Sequence, residues 1–146
     1  MMRPNLLMNA VPTAVLSTPL LHRLLSGRYL LLTFTGRSTG RRYRTPVAYL
    51  ATTEGLAFST DSRWWRNLMA EPAVELLLAG RRVRGIARQV HGVAEAAEQL
   101  GQLASGVPGY RRAAGLRAGP GGRVPPAELV RAVTDERRVF TVQVIA

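Results

Sequence analysis

Two short segments of this 146-residue chain hold the residue types that chemistry needs. The first is Gly36-Arg37-Ser38-Thr39-Gly40-Arg41-Arg42-Tyr43-Arg44-Thr45-Pro46. Two glycines let the backbone turn and expose its N–H groups. Arg37, Arg41, Arg42 and Arg44 surround them, with the hydroxyls of Ser38 and Thr39. Guanidinium forks and free N–H groups suit a phosphate or a group of carboxylates. An ordinary basic hairpin is the plain alternative. The chain has no lysine for a Walker A loop and no G-x-G-x-x-G, so neither nucleotide-binding loop is present.

The second segment is Asp61-Ser62-Arg63-Trp64-Trp65-Arg66-Asn67-Leu68, just after Thr60. It gathers both tryptophans of the chain, two arginines and an asparagine. Asp61 or Ser62 can cap a short helix over Arg63–Ala70, which stops before Pro72. A helix start attracts anions, and tryptophan offers a flat wall to a ring system. The plain alternative is that Trp64 and Leu68, four apart, bury one face of the helix.

Other reactive groups are few. There is no cysteine, so disulfides, thiolate metal sites and a cysteine nucleophile are excluded. Redox chemistry would have to come from a bound cofactor. The two histidines, His22 and His91, are far apart, which argues against zinc and leaves no metal site. Asp135-Glu136 beside Arg137-Arg138 reads as a solvated charge cluster. No coherent hydrolase triad exists. Tyr49 and Tyr110 are candidate proton donors, with solvent as the alternative.

The formal net charge is +11, and all 20 basic residues are arginine. Such a charge implies an anionic partner: a phosphorylated cofactor, a membrane surface or nucleic acid. The low aromatic content and the lack of any RNA or DNA motif argue against nucleic acid. The apolar stretch Val11–Leu25 is broken by prolines, hydroxyls, His22 and Arg23, and is too short to span a bilayer. A cytoplasmic protein is expected, with peripheral membrane contact through the N-terminal helix and a homodimer both allowed.

The elements that position these segments follow from periodicity. Thr18-Pro19 starts a helix over Leu20–Leu25 that ends at Gly27. Strands are expected at Tyr29–Thr35, Tyr43–Leu50 and Leu56–Ser59, the last two joined by a turn at Glu54-Gly55. Further strands are Ala73–Ala79, Arg82–Val90 and Arg138–Ile145. In Arg82–Val90, Val83, Gly85 and Ala87 share one face while Arg82, Arg84 and Arg88 take the other. Helices are expected at Val93–Leu103 and Ala127–Val133. Residues 105–126 are rich in Gly, Pro and Arg and read as a long mobile loop. Short turns between strands imply an antiparallel sheet. Six such strands with one apolar face can curl into a barrel. The expectation is one α+β domain over residues 1–146.

Taken together, the two segments resemble the deazaflavin-dependent nitroreductase family. The pattern is an apolar strand (Leu30–Thr35), then Gly36-Arg37-Ser38-Thr39-Gly40, then Pro46, then Trp64-Trp65-Arg66-Asn67-Leu68 ahead of Pro72. Pro19–Gly27 and the closing strand after Thr134-Asp135 are also similar. Thr39 stands where serine is usual, and Tyr43 where many members have arginine. The resemblance implies a split β-barrel of about six mostly antiparallel strands with flanking short helices, related to FMN-binding pyridoxamine-oxidase-like proteins. It implies coenzyme F-420 as cofactor, with FMN as the alternative. Arg37, Ser38, Thr39 and Gly40 would take the charged tail with support from Arg41 and Arg42, and Pro46, Trp64 and Asn67 would hold the ring. Thr60, Trp65 and Arg44, which the strand turns to the face opposite Tyr43, are further cofactor-binding candidates.

The activity so implied is hydride transfer from reduced deazaflavin to a hydrophobic, electron-poor acceptor such as a quinone, an enone or a nitro compound. The acceptor would lie between the N-terminal helix, with Leu20, Leu21, Leu24 and Leu25, and the 105–126 segment. Two alternatives stay open at this point: a fatty-acid or other apolar-ligand binder without turnover, and an FMN-dependent reductase.

Overall fold

The computed structural model describes residues 29–53, 55–78 and 80–145. The expected helix Leu20–Leu25 and its leucines, and His22, lie outside the described residues. Seven strands occur among the described residues: β1 (Tyr29–Thr35), β2 (Arg42–Ala48), β3 (Leu50–Ala51), β4 (Gly55–Thr60), β5 (Ala73–Leu78), β6 (Arg81–Gln89) and β7 (Arg138–Val144). The helices are α1 (Trp65–Ala70), α2 (Val93–Gly106), α3 (Tyr110–Ala113) and α4 (Pro126–Asp135), with a 3₁₀ turn at Pro120–Gly122. None of the described helices is long and apolar enough to cross a membrane.

The strand order is β2-β1-β5-β6-β7-β4-β3, and every pair is antiparallel. The sheet curls until β2, at one edge, packs against β4 near the other. The result is the expected split barrel, with one more strand than expected. The extra strand arises because Tyr43–Leu50 does not run through: pairing with β1 ends at Ala48, and Leu50–Ala51 pairs with β4 instead.

The inner face of the barrel follows period-two alternation. Leu30, Leu32 and Phe34 on β1 meet Val74 and Leu76 on β5 and Phe140 and Val142 on β7. In β6, Gly85 and Ala87 are buried while Arg82, Arg84 and Arg88 are exposed, as the alternation predicts. Gly55 allows β4 to approach β7: a Cβ there would collide with the carbonyl oxygen of Val142. Through the barrel runs a column of aromatic rings. Tyr43 stacks on Phe34 (5.7 Å between centroids), Phe34 on Trp64 (5.0 Å), Trp64 on Phe58 (6.1 Å) and Phe58 on Phe140 (5.5 Å). Each such pair adds roughly 0.5–1.5 kcal/mol beyond area burial.

A second apolar cluster covers the outer face of β4 and β7. Leu100 and Leu103 of α2 pack with Val107, Tyr110, Leu116, Ala132 of α4 and Val139 of β7. This corrects the reading of residues 105–126 as an unstructured loop. The segment contains α3 and a 3₁₀ turn, and Val107, Tyr110 and Leu116 are buried. Its glycines and prolines hide helical periodicity, but three widely spaced apolar anchors suffice to dock it.

Candidate functional site

The basic hairpin joins β1 to β2 and is tightly closed. The Gly36 N–H donates to the Arg41 carbonyl (2.7 Å), and the Gly40 N–H to the Gly36 carbonyl (2.9 Å). The Arg41 N–H donates to Thr39 Oγ1 (3.2 Å). Gly40 has φ of +71°, a left-handed value that glycine adopts without strain. The loop is therefore not an open nest of N–H groups, as its glycines suggested: its backbone donors are mostly engaged internally. Positive charge comes from the side chains. Arg42 Nη1 donates to Thr35 Oγ1 (3.2 Å). Arg41 and Arg44 are exposed, and their guanidinium groups have no hydrogen bond or ion pair among the described residues. Arg44 shares the outward face of β2 with Pro46, two residues on.

The hairpin is anchored to α1 by Asn67, which is 3% exposed. Its Oδ1 accepts from the Arg37 N–H (2.9 Å) and from Arg37 Nη1 (3.2 Å). Its Nδ2 donates to the Trp64 carbonyl (3.0 Å). All three contacts lie within the protein, so Asn67 organises backbone. The helix itself starts later than expected, at Trp65, and neither Asp61 nor Ser62 caps it. The N–H groups of Trp65, Arg66 and Asn67 donate to carbonyls three residues back. Short i→i+3 bonds engage the donors that a side-chain cap would have taken, which corrects the expected cap at this helix start.

Trp64 is buried, stacked between Phe34 and Phe58, and also lines a cavity of about 270 Å³. The cavity sits in the seam between β2 and β4. Pro46 and Val47 form one wall, Ser59 and Thr60 another, and Tyr110 and Ala113 of α3 a third. Because β2 is an edge strand, one of its edges has no strand partner among the described residues. At about the lower end of the roughly 300–1,000 Å³ typical of small-molecule sites, it suits a planar ring and not a long charged tail.

One side of the cavity is polar. Arg137, just before β7 and 8% exposed, donates from Nε to Ser59 Oγ (2.9 Å). Its guanidinium lies over the Tyr110 ring (5.9 Å), and the Tyr110 hydroxyl hydrogen-bonds Ser59 Oγ. Asp61 Oδ2 is 3.7 Å from Arg137 Nη1. This cluster was not read from the sequence, where Arg137 looked solvated. The carboxylates beside it are indeed at the surface, Glu136 pairing with Arg131 (2.6 Å).

Of the expected ligand contacts, Pro46, Thr60 and Trp64 line the cavity, as does the candidate donor Tyr110. Trp65 does not: it lies outside the lining, between Arg66 (5.8 Å) and Arg138 (5.0 Å). Tyr49 is also outside the lining and packs against the barrel core, where burial pushes its phenol above the usual value. Arg37 does not line the cavity and instead bonds Asn67, and Ser38, Thr39 and Gly40 are exposed on the hairpin tip.

The profile of one protein family, described as F420H(2)-dependent quinone reductase, matches residues 14–116. No curated protein matches the chain significantly. Among solved structures, the chain is similar to an F420-H2 dependent reductase at 19% identity, covering 80% of this chain and 94% of that one, with a TM-score of 0.54. A structure described as an F420 reductase is similar at 20% identity, with 91% and 92% covered and a TM-score of 0.51. An FAD-binding protein from Mesorhizobium loti is similar at 15% identity, with 92% and 87% covered and a TM-score of 0.55. These likenesses establish the fold, while the profile match spans most of the chain. The chain belongs to the F420H(2)-dependent quinone reductase family, and is an oxidoreductase whose cofactor is coenzyme F-420.

Proposed function

We propose that this reductase delivers hydride from reduced coenzyme F-420 to an apolar, electron-poor acceptor, with a quinone as the leading class. The observation that supports this most is the continuity between the seam cavity and the basic hairpin. Pro46 and Trp64 wall the cavity, and Arg44 and Arg42 continue from Pro46 along one face of β2. A planar ring and an anionic tail are thereby served by adjacent surfaces. The bound cofactor supplies the hydride. The chain's own residues position and dry the site: Pro46 and the edge of Trp64 present apolar surface, and Tyr110 and Ala113 shield it from α3.

The residues present fit such a group. The tail would rest on the guanidinium groups of Arg41, Arg42 and Arg44, since the hairpin's backbone donors are mostly engaged. Tryptophan fluorescence titration with F-420 and with FMN tests the reading. Tight F-420 binding, weak FMN binding and F-420-dependent quinone reduction are expected. A co-purified fatty acid with no F-420 binding would overturn it. A homodimer is also proposed, supported by a fold neighbour described as a domain-swapped dimer; light scattering of the purified protein tests it.

A further inference from the structure

We infer that Arg137, Ser59 and Tyr110 form an oxyanion subsite within the seam cavity. It would hold a conjugated oxygen that becomes electron-rich during reduction. The inference rests on the reductase reading above and assigns a role to a cluster that reading leaves idle.

The argument is one of unspent donors. Arg137 is 8% exposed, yet among the described residues its Nη1 has only Asp61 Oδ2 at 3.7 Å, beyond hydrogen-bond reach. Nη2 has one long contact, to the Ser59 carbonyl at 3.5 Å. Asp61 is 69% exposed, so water screens its charge from the buried guanidinium. The hydroxyls add a second donor. Ser59 Oγ and Tyr110 hydrogen-bond each other, and Ser59 Oγ also accepts from Arg137 Nε. The pair carries two O–H protons and uses one between its members. Whichever group donates, one O–H is left without a partner among the described residues. Buried donors left unused cost free energy unless a ligand takes them. A guanidinium and a hydroxyl converging on one cavity wall are what a developing oxyanion needs. Of the remaining lining, Pro46, Val47 and Trp64 are apolar and favour a planar ligand, beside the hydroxyls of Thr45, Thr60 and Ser62.

The oxygen has two sources. One is the acceptor: hydride brings two electrons and one proton to a quinone, which leaves one oxygen anionic. A proton from solvent or the Ser59–Tyr110 pair then completes the hydroquinone, and F-420 is left oxidised. The other source is the pyrimidine carbonyl edge of the cofactor.

The test uses the full chain without cofactor and two probes read by tryptophan quenching. One is a hydroxynaphthoquinone that is anionic at neutral pH; the other is its neutral parent naphthoquinone. Arg137→Gln should weaken the anionic probe about tenfold or more and leave the parent nearly unchanged. Arg137→Lys should restore part of the loss. Asp61→Asn, at an exposed site, should tighten the anionic probe about two- to threefold at low salt. Equal weakening of both probes by Arg137→Gln would overturn the subsite. If that variant does not fold, no response to Asp61→Asn would overturn it. With F-420 bound, a more negative midpoint potential in Arg137→Gln assigns the oxygen to the cofactor. A raised quinone KM with unchanged potential assigns it to the acceptor, and neither change overturns the inference. Probe discrimination without F-420 binding by the wild type would leave the subsite standing and remove the reductase reading.

Discussion

The carboxamide of Asn67 accepts two hydrogen bonds from Arg37, thirty residues away, at 2.9 Å from the backbone N–H and 3.2 Å from Nη1. The same side chain donates to the Trp64 carbonyl at 3.0 Å. One buried residue thus ties the basic hairpin to the short helix that presents the cavity's tryptophan. The cavity and the basic hairpin are held in register by a polar contact.

Asn67→Leu should therefore be costly. It leaves the part-buried Arg37 N–H and the buried Trp64 carbonyl without their partner, a loss of about 2–4 kcal/mol. Arg37→Ala keeps the backbone bond and should cost about 1 kcal/mol or less in stability. Urea unfolding of both variants gives the comparison. A loss in Arg37→Ala as large as in Asn67→Leu would refute the primacy of the backbone contact.

Trp64 serves the core and the cavity together. Trp64→Ala should lower stability by about 3–5 kcal/mol through the space left between Phe34 and Phe58. Trp64→Phe keeps a ring in the column and should cost about 1–2 kcal/mol. Thermal unfolding of the cofactor-free protein is to be paired with F-420 affinity for each variant. If affinity of the folded fraction is unchanged in Trp64→Ala, the residue is core alone.

The hairpin arginines are expected to act through their side chains. Arg41→Ala with Arg44→Ala should weaken F-420 by about tenfold or more, with a reduced salt dependence. A deazaflavin analogue lacking the charged tail should bind both forms alike. Equal weakening of that analogue would place these arginines at the ring or in the fold.

Acid should loosen the segment over the cavity. Glu128 accepts from Arg131 Nε (2.7 Å) and from the Arg117 N–H (3.0 Å). The Arg131 hydrogen bond first, and the Arg117 N–H second, hold its carboxyl down to about 2. Its folded pKa is below the ordinary value of about 4.3. Its contribution is thus complete above that value and is lost as pH falls towards 2. Because Arg131 is exposed and solvent screens its charge, the loss should be about 1 kcal/mol or less. Amide exchange at Arg117, corrected for intrinsic rates, should rise on acidification in wild type but already be fast in Glu128→Gln.

Sequence alone placed most of the strands, because the apolar run Tyr29–Thr35 and the alternation of Phe140, Val142 and Val144 are local properties of each segment, but not the break between β2 and β3, which depends on which strand each half pairs with. It also singled out the hairpin and the tryptophan–asparagine helix, whose glycines, arginines and i,i+3 spacing lie within one dozen residues each. Composition excluded a thiolate nucleophile outright. What a single segment could not reveal was which donors would still be free after folding. The hairpin glycines suggested open N–H groups, but closure across Gly36 and Arg41 engages them. Arg137 sits among Asp135, Glu136 and Arg138 and looks solvated from its neighbours. Only the β4–β7 register, Ser59 opposite Val139 and Thr60 opposite Arg138, carries it to Ser59, 78 residues away, and beneath Tyr110. Burial of a charge depends on what packs over it, and that is decided by pairing between distant strands and by the docking of α3.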